Sequence, residues 1–174
     1  MDTRLKSSLW QQFGAAIDTL DDAMQTCPDR LWHAFLWNDT TENSKYAQFW
    51  YIAYHTLFWL DLYLSGSVEG FIPPAPFTLS ELDVNGFPER PYTRDELRAY
   101  LDHDRRKCQA TIEALTDEKA YSGCKFPWGE IGFLELQLYT LRHVQEHAAQ
   151  LNLLLGQNGI SVKGWVKKAR DKAA

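Results

Sequence analysis

Apolar residues recur along this chain at steps of three and four, the spacing that lays a stripe down one side of an α-helix. Leu5, Leu9, Phe13, Ile17, Leu20 and Met24 form one such stripe and predict a first helix over roughly 3–26, which Pro28 stops. A second helix is predicted over roughly 43–65. There Phe49, Ala53, Leu57, Leu60 and Leu64 make one stripe, and Tyr51, Ile52, Phe58, Trp59 and Leu62 make another. Apolar positions nearly all round place this helix at the centre of the fold. Gly66 stands where a left-handed cap would end it. Thr93, followed three residues later by Glu96, is a capping box that opens a third helix near 93–115, carried by Leu97, Tyr100, Leu101 and Ile112 or Leu115. The fourth is expected over 130–155 on Phe133, Leu136, Leu141, Val144, Ala148, Leu151 and Leu155, with Gly156 and Gly159 to finish it.

The segments between these stripes are long. Residues 27–42 combine Pro28, Asp29, Asn38 and Asp39 with Trp32, Phe35 and Trp37, the make-up of a connection that packs down on the body. Residues 66–92 hold Gly70, Pro73, Pro74, Pro76, Gly86, Pro88 and Pro91, which exclude regular structure beyond a turn. Loops longer than about 15 residues are uncommon in compact domains and are often functional, so this one is expected to cover a site or to make an intersubunit contact. The stretch 116–129, with Gly123, Pro127 and Gly129, reads as a third connection, and no segment alternates convincingly enough to be a strand. The run Asp102, Asp104, Arg105, Arg106 and Lys107 reads as a solvated helix face, and the basic tail 163–174 is expected to fray. The pattern as a whole predicts an all-α four-helix bundle. Connections of roughly 16, 27 and 14 residues are not the short links of an up-down-up-down bundle, so crossovers and parallel neighbours are both open.

Composition narrows the class. The 174 residues are 45% hydrophobic and 24% charged, the profile of a single domain spanning 1–174. A net charge of -5 supplies no basic field for phosphates, and no nucleic acid is expected as a partner. Cys27, Cys108 and Cys124 lack any CxxC spacing, which suggests neither a disulfide framework nor a thiolate zinc site and fits a reducing cytoplasm. The first 14 residues lack a secretory pattern. The most apolar stretch, 46–64, is broken by Gln48, His55 and Asp61, so no membrane association is expected.

Candidate chemistry rests on histidine. His143 and His147 are four apart on the fourth helix, which brings both imidazoles to one face about a turn apart. His55 lies near the middle of the second helix, as the pair does in the fourth, so the depths match whichever way the helices run. An unpartnered polar ring in a bundle core costs roughly 1–3 kcal/mol, and a shared metal ion would satisfy all three rings. Three neutral imidazoles suit zinc, nickel, copper or iron(II), and three protein ligands leave positions open for water or substrate, as catalytic sites do. The plain alternative is that each His is a core residue bonded to a neighbour. Glu146 and Gln150 flank the pair and could each hold an imidazole N–H or simply face solvent. His33 and His103 fall outside the pattern and read as structural or solvated.

The segment His143-Val-Gln-Glu-His147-Ala-Ala-Gln150-Leu resembles the C-terminal helix motif of DinB-like proteins, and Ala53-Tyr-His55-Thr-Leu-Phe-Trp59 resembles their earlier helical histidine. Length, helix order, the aromatic run 32–37 and the long second loop agree with that family. The resemblance implies a DinB-like four-helix bundle with long connecting loops in which His55, His143 and His147 bind a divalent metal, nickel or zinc. It also implies a small-molecule substrate and a homodimer. Ala148 and Ala149 stand where relatives often have a further His and a Gly, so no fourth protein ligand is implied. The family includes thiol-dependent transferases, and the expected activity is a metal-dependent transferase or hydrolase. The alternative is a non-catalytic binding or dimerisation module with an aromatic-lined pocket, since 14% of residues are aromatic.

Overall fold

The structure is a computed structural model that describes residues 1–37 and 42–171. Asn38 and Asp39 of the first connection and the end of the tail, 172–174, lie outside the described residues. Helix α1 (Thr3–Thr26) starts where the Asp2 side chain accepts from the Arg4 N–H at 2.6 Å. It ends as predicted, because the residue before a proline is pushed to extended backbone and Cys27 adopts φ -62°, ψ 118° ahead of Pro28. A single turn, α2 (Asp29–Trp32), follows. Helix α3 (Phe49–Ser65) begins later than the sequence pattern predicts: residues 42–47 form 3-10 turns instead. Gln48 is extended there and bridges Phe35, and the Phe49 N–H donates to the Ala34 carbonyl at 2.9 Å, which takes the backbone out of helical register. Gly66, at φ 77°, ends α3 in the left-handed cap expected of it.

Helix α4 (Arg94–Glu113) opens with the complete Thr93/Glu96 capping box. A short helix α5 (Asp117–Tyr121) and a hairpin then lead into α6 (Phe133–Gln157). The hairpin corrects the expectation of no strands: β1 (Gly123–Phe126) pairs antiparallel with β2 (Gly129–Gly132), Cys124 opposite Ile131, around the turn Pro127–Trp128. Its four-residue strands are too short to show alternation.

The four long helices form a bundle in which α1 and α3 lie on one diagonal and α4 and α6 on the other. Lys6 reaches the carbonyl of Glu113 while Arg105 pairs with Asp18, so α1 and α4 are antiparallel. Tyr100 and Lys107 both bond Asp61, and Lys107 also bonds Ser65, so α3 and α4 run parallel. His55 meets His143 while Tyr63 meets Tyr139, so α3 and α6 are antiparallel. The order is up, down, down, up, and the long loop 66–92 is the crossover between the parallel α3 and α4. Phe13, Ile17, Leu20, Trp50, Tyr54, Leu57, Tyr100 and Phe133 fill the interior. No helix among the described residues is long and apolar enough to cross a membrane.

Two further expectations are corrected. The charge run on α4 is not a solvated face, because α4 is clasped between α1 and α3 and turns charges toward both. Arg105 is buried against Asp18, and Asp104 is fully buried. Burial, and then the charge of Asp61, pushes the Asp104 carboxyl well above the usual carboxylate range. Nor does the described part of the tail fray. Lys163 and Arg170 both pair with Asp22, the Arg170 N–H donates to Asp18, and Ala169 lies where only the hydrogen of Gly14 leaves room.

Candidate metal centre

His55 projects from the middle of α3, a helix apolar nearly all round, and its side chain keeps 28% exposure at the edge of a surface cavity. His143 and His147 project from α6 one turn apart, as their spacing predicts, with ring centroids 4.5 Å from each other and each 5.2 Å from that of His55. One nitrogen from each ring lies within 4.8 Å of the other two, so the three could hold one metal ion. The bundle topology is what brings them together: antiparallel α3 and α6 carry their central turns to the same level.

The hydrogen bonds behind the rings decide which nitrogens are free. His55 Nδ1 lies 2.7 Å from Glu81 Oε2. The same carboxylate accepts from Trp59 Nε1 at 2.9 Å and from the Tyr51 hydroxyl. Burial works to raise the Glu81 pKa, but the bond from His55, followed by those from Tyr51 and Trp59, outweighs it and leaves the value lowered. An ionised carboxylate only accepts, so the proton of His55 sits on Nδ1 and the lone pair of Nε2 faces inward. His147 Nδ1 is likewise 2.8 Å from Gln150 Oε1, which leaves its Nε2 as the acceptor. Gln150 thus takes the supporting place that the sequence left open between it and Glu146, which is exposed.

His55 Nε2 and His143 Nε2 stand 3.3 Å apart. Two nitrogens bound at about 2.0–2.1 Å to one tetrahedral ion are separated by about 3.4 Å, so the pair already has the bite that zinc needs. His143 Nδ1 is buried and meets no partner among the described residues. Burial first, then His147 and His55, lowers the pKa of His143 to about 2. Burial, then His55, also lowers that of His147. Both imidazoles are therefore neutral near pH 7, the state in which a ring nitrogen binds a metal.

Glu81 is the residue that sequence reasoning missed. It comes from the crossover loop, on a 3-10 turn over Ser80–Leu82, and no spacing ties it to His55. Tyr54 holds this turn through Ser80 Oγ at 3.0 Å, Phe87 stacks on Tyr51 at 5.1 Å, and Gly86 closes the loop where a Cβ would lie 2.0 Å from the Ser80 carbonyl. The loop thus covers the site, one of the two roles expected for it. Between it and α3 lies a cavity of about 470 Å³ walled by Trp37, Tyr46, Tyr51 and Trp59, with His55, His147 and Glu81 on its floor. Of the other histidines, His33 is exposed at the end of α2, and His103 faces Asp61 on a different side of α3.

No curated protein matches the chain. The model of the DinB superfamily matches residues 12–151, a span that includes all three clustered histidines, and the chain belongs to that superfamily.

Proposed function

We propose that His55, His143 and His147 bind one divalent metal ion, nickel or zinc, and that the protein is a metal-dependent transferase or hydrolase acting on a small molecule. The observation that carries this reading is the convergence of three imidazole nitrogens from two helices within 4.8 Å, two of the rings being held from behind by Glu81 and Gln150. A bound ion with open positions supplies Lewis acidity and lowers the pKa of a coordinated water or thiol. The chain's own residues do the rest. Glu81 and Gln150 fix the tautomers of His55 and His147, and burial keeps His143 and His147 unprotonated. The aromatic walls exclude water from one side of a substrate and orient its apolar part. The absence of a thiolate or carboxylate from the triad favours transfer or hydrolysis over redox chemistry, and family habit favours thiol-dependent transfer. A homodimer and a cytoplasmic setting complete the reading.

The aromatic cavity would serve a non-catalytic binding module equally well, and metal content separates the two. Protein purified without a nickel column should carry about one metal ion per chain. His147→Ala should lose that ion while keeping its helical circular dichroism. Metal-free wild-type protein that also fails to take up added zinc or nickel would overturn the reading in favour of the module.

A further inference from the structure

Asp61 interrupts the apolar surface of α3 and faces α4, where its carboxylate is 1% exposed. The Tyr100 hydroxyl donates to Oδ2 at 3.0 Å. The Lys107 ammonium donates to Oδ1, to the Asp61 carbonyl at 2.9 Å and to Ser65 Oγ at 2.6 Å, which commits all three of its protons. Beside this pair lies Asp104, fully buried, and no donor among the described residues reaches either of its oxygens. His103 Nε2 stands 3.6 Å from Asp61 Oδ1, and its side chain is 41% exposed, so one edge of the group opens to solvent. One ligand atom from each of Asp61, His103 and Asp104 lies within 4.8 Å of the other two.

Two buried carboxylates thus face a single committed ammonium. A buried carboxylate is tolerated when it is paired or holds a metal, and among the described residues Asp104 has no hydrogen-bonding partner to play that part. We propose that Asp61, His103 and Asp104 form a second cation site, separate from the imidazole triad, that takes one divalent ion such as manganese or zinc. Two carboxylate oxygens and one imidazole form a mixed donor set: carboxylates suit manganese and imidazole suits zinc. Asp61 can bind an ion without releasing Lys107 or Tyr100, because each carboxylate oxygen carries two lone pairs. The solvent-facing edge at His103 provides access for the ion and room for water or an anion to complete its shell. Asp61 and Asp104 come from parallel α3 and α4, so the ion would add to the Tyr100 and Lys107 bonds that already tie these two helices together.

The test counts metal by titrating metal-free protein with manganese or zinc alone, followed by elemental analysis after desalting. His103→Ala, at the exposed edge where folding is least disturbed, should lower the wild-type stoichiometry by one equivalent, and Asp104→Asn should do the same. His143→Ala combined with His147→Ala should leave that equivalent in place, which separates this site from the triad whether or not the triad binds metal. A metal stoichiometry that neither His103→Ala nor Asp104→Asn lowers, or a wild-type protein whose bound metal is removed entirely by the His143/His147 double variant, would overturn the proposal and leave a proton as the neutraliser of Asp104.

Discussion

Glu81 governs what His55 can offer a metal ion. Its carboxylate accepts a hydrogen bond from Nδ1–H and so leaves the Nε2 lone pair free, and its charge makes the imidazole a stronger donor. Glu81→Gln keeps an oxygen for His55 and Trp59 but removes the charge, so the affinity for zinc should fall by about 10-fold or more, within the range usual for a residue supporting a ligand. Competition with a chromophoric chelator reads this directly, and an unchanged affinity would mean that the Glu81 charge does not act through His55. At this scale the sequence was informative for residues on regular helices, where spacing and depth can be read, as for His55 with His143 and His147. The pair His143 and His147 is visible as a spacing of four, whereas Glu81 lies 26 residues from His55 in a loop with no period to follow. Asp61 and Asp104 were hidden for a different reason. Each sits among residues that explain it away, Asp61 as a break in an apolar run and Asp104 as one charge among several. The signal available was a lone Asp on a helix apolar nearly all round, which demands a partner.

Among the elements, the crossover loop is the one on which the site depends. Gly86→Ala places a Cβ against the Ser80 carbonyl, where 2.0 Å is available, so the turn bearing Glu81 must shift. The variant should weaken metal binding much as Glu81→Gln does while leaving the bundle's helicity intact; equal affinity in the same chelator assay would show that the loop does not support the site. The opening of α4 titrates. The Arg90 guanidinium, helped by the Thr93 backbone and hydroxyl and opposed by slight burial, lowers the Glu96 pKa from 4.5 to about 2. A depressed carboxylate contributes stability above its unfolded pKa and loses it as pH falls, so this share is present above 4.5 and fades toward 2. Glu96→Gln should make the urea midpoint less sensitive to pH across that window, and an unchanged pH slope would refute the assignment. Caps were the most legible elements of all, Thr93 with Glu96 and Gly66 both standing where their chemistry puts them. The hairpin was not, because the turn Pro127–Trp128 lacks the Asn-Gly or Asp-Gly signature that announces tight hairpins.

For the whole molecule, four helices and their approximate limits follow from apolar periodicity, but their order in space does not. Connection lengths allow parallel neighbours without requiring them, and direction is settled by contacts such as Lys107 with Asp61 and Ser65, which no local pattern contains. The tail is similar: its basic character reads as solvation until Asp18 and Asp22 of α1 are seen beneath it. The up-down-down-up order matters to the proposed metal centre because it sets α3 antiparallel to α6 and so brings His55 level with His143 and His147. Crystals grown with one equivalent of nickel or zinc per chain, measured at the metal's absorption edge, test this most directly. The account predicts an anomalous peak within bonding distance of a nitrogen of each of His55, His143 and His147; a crystal in which the metal lies elsewhere and the three imidazoles hold none would contradict it.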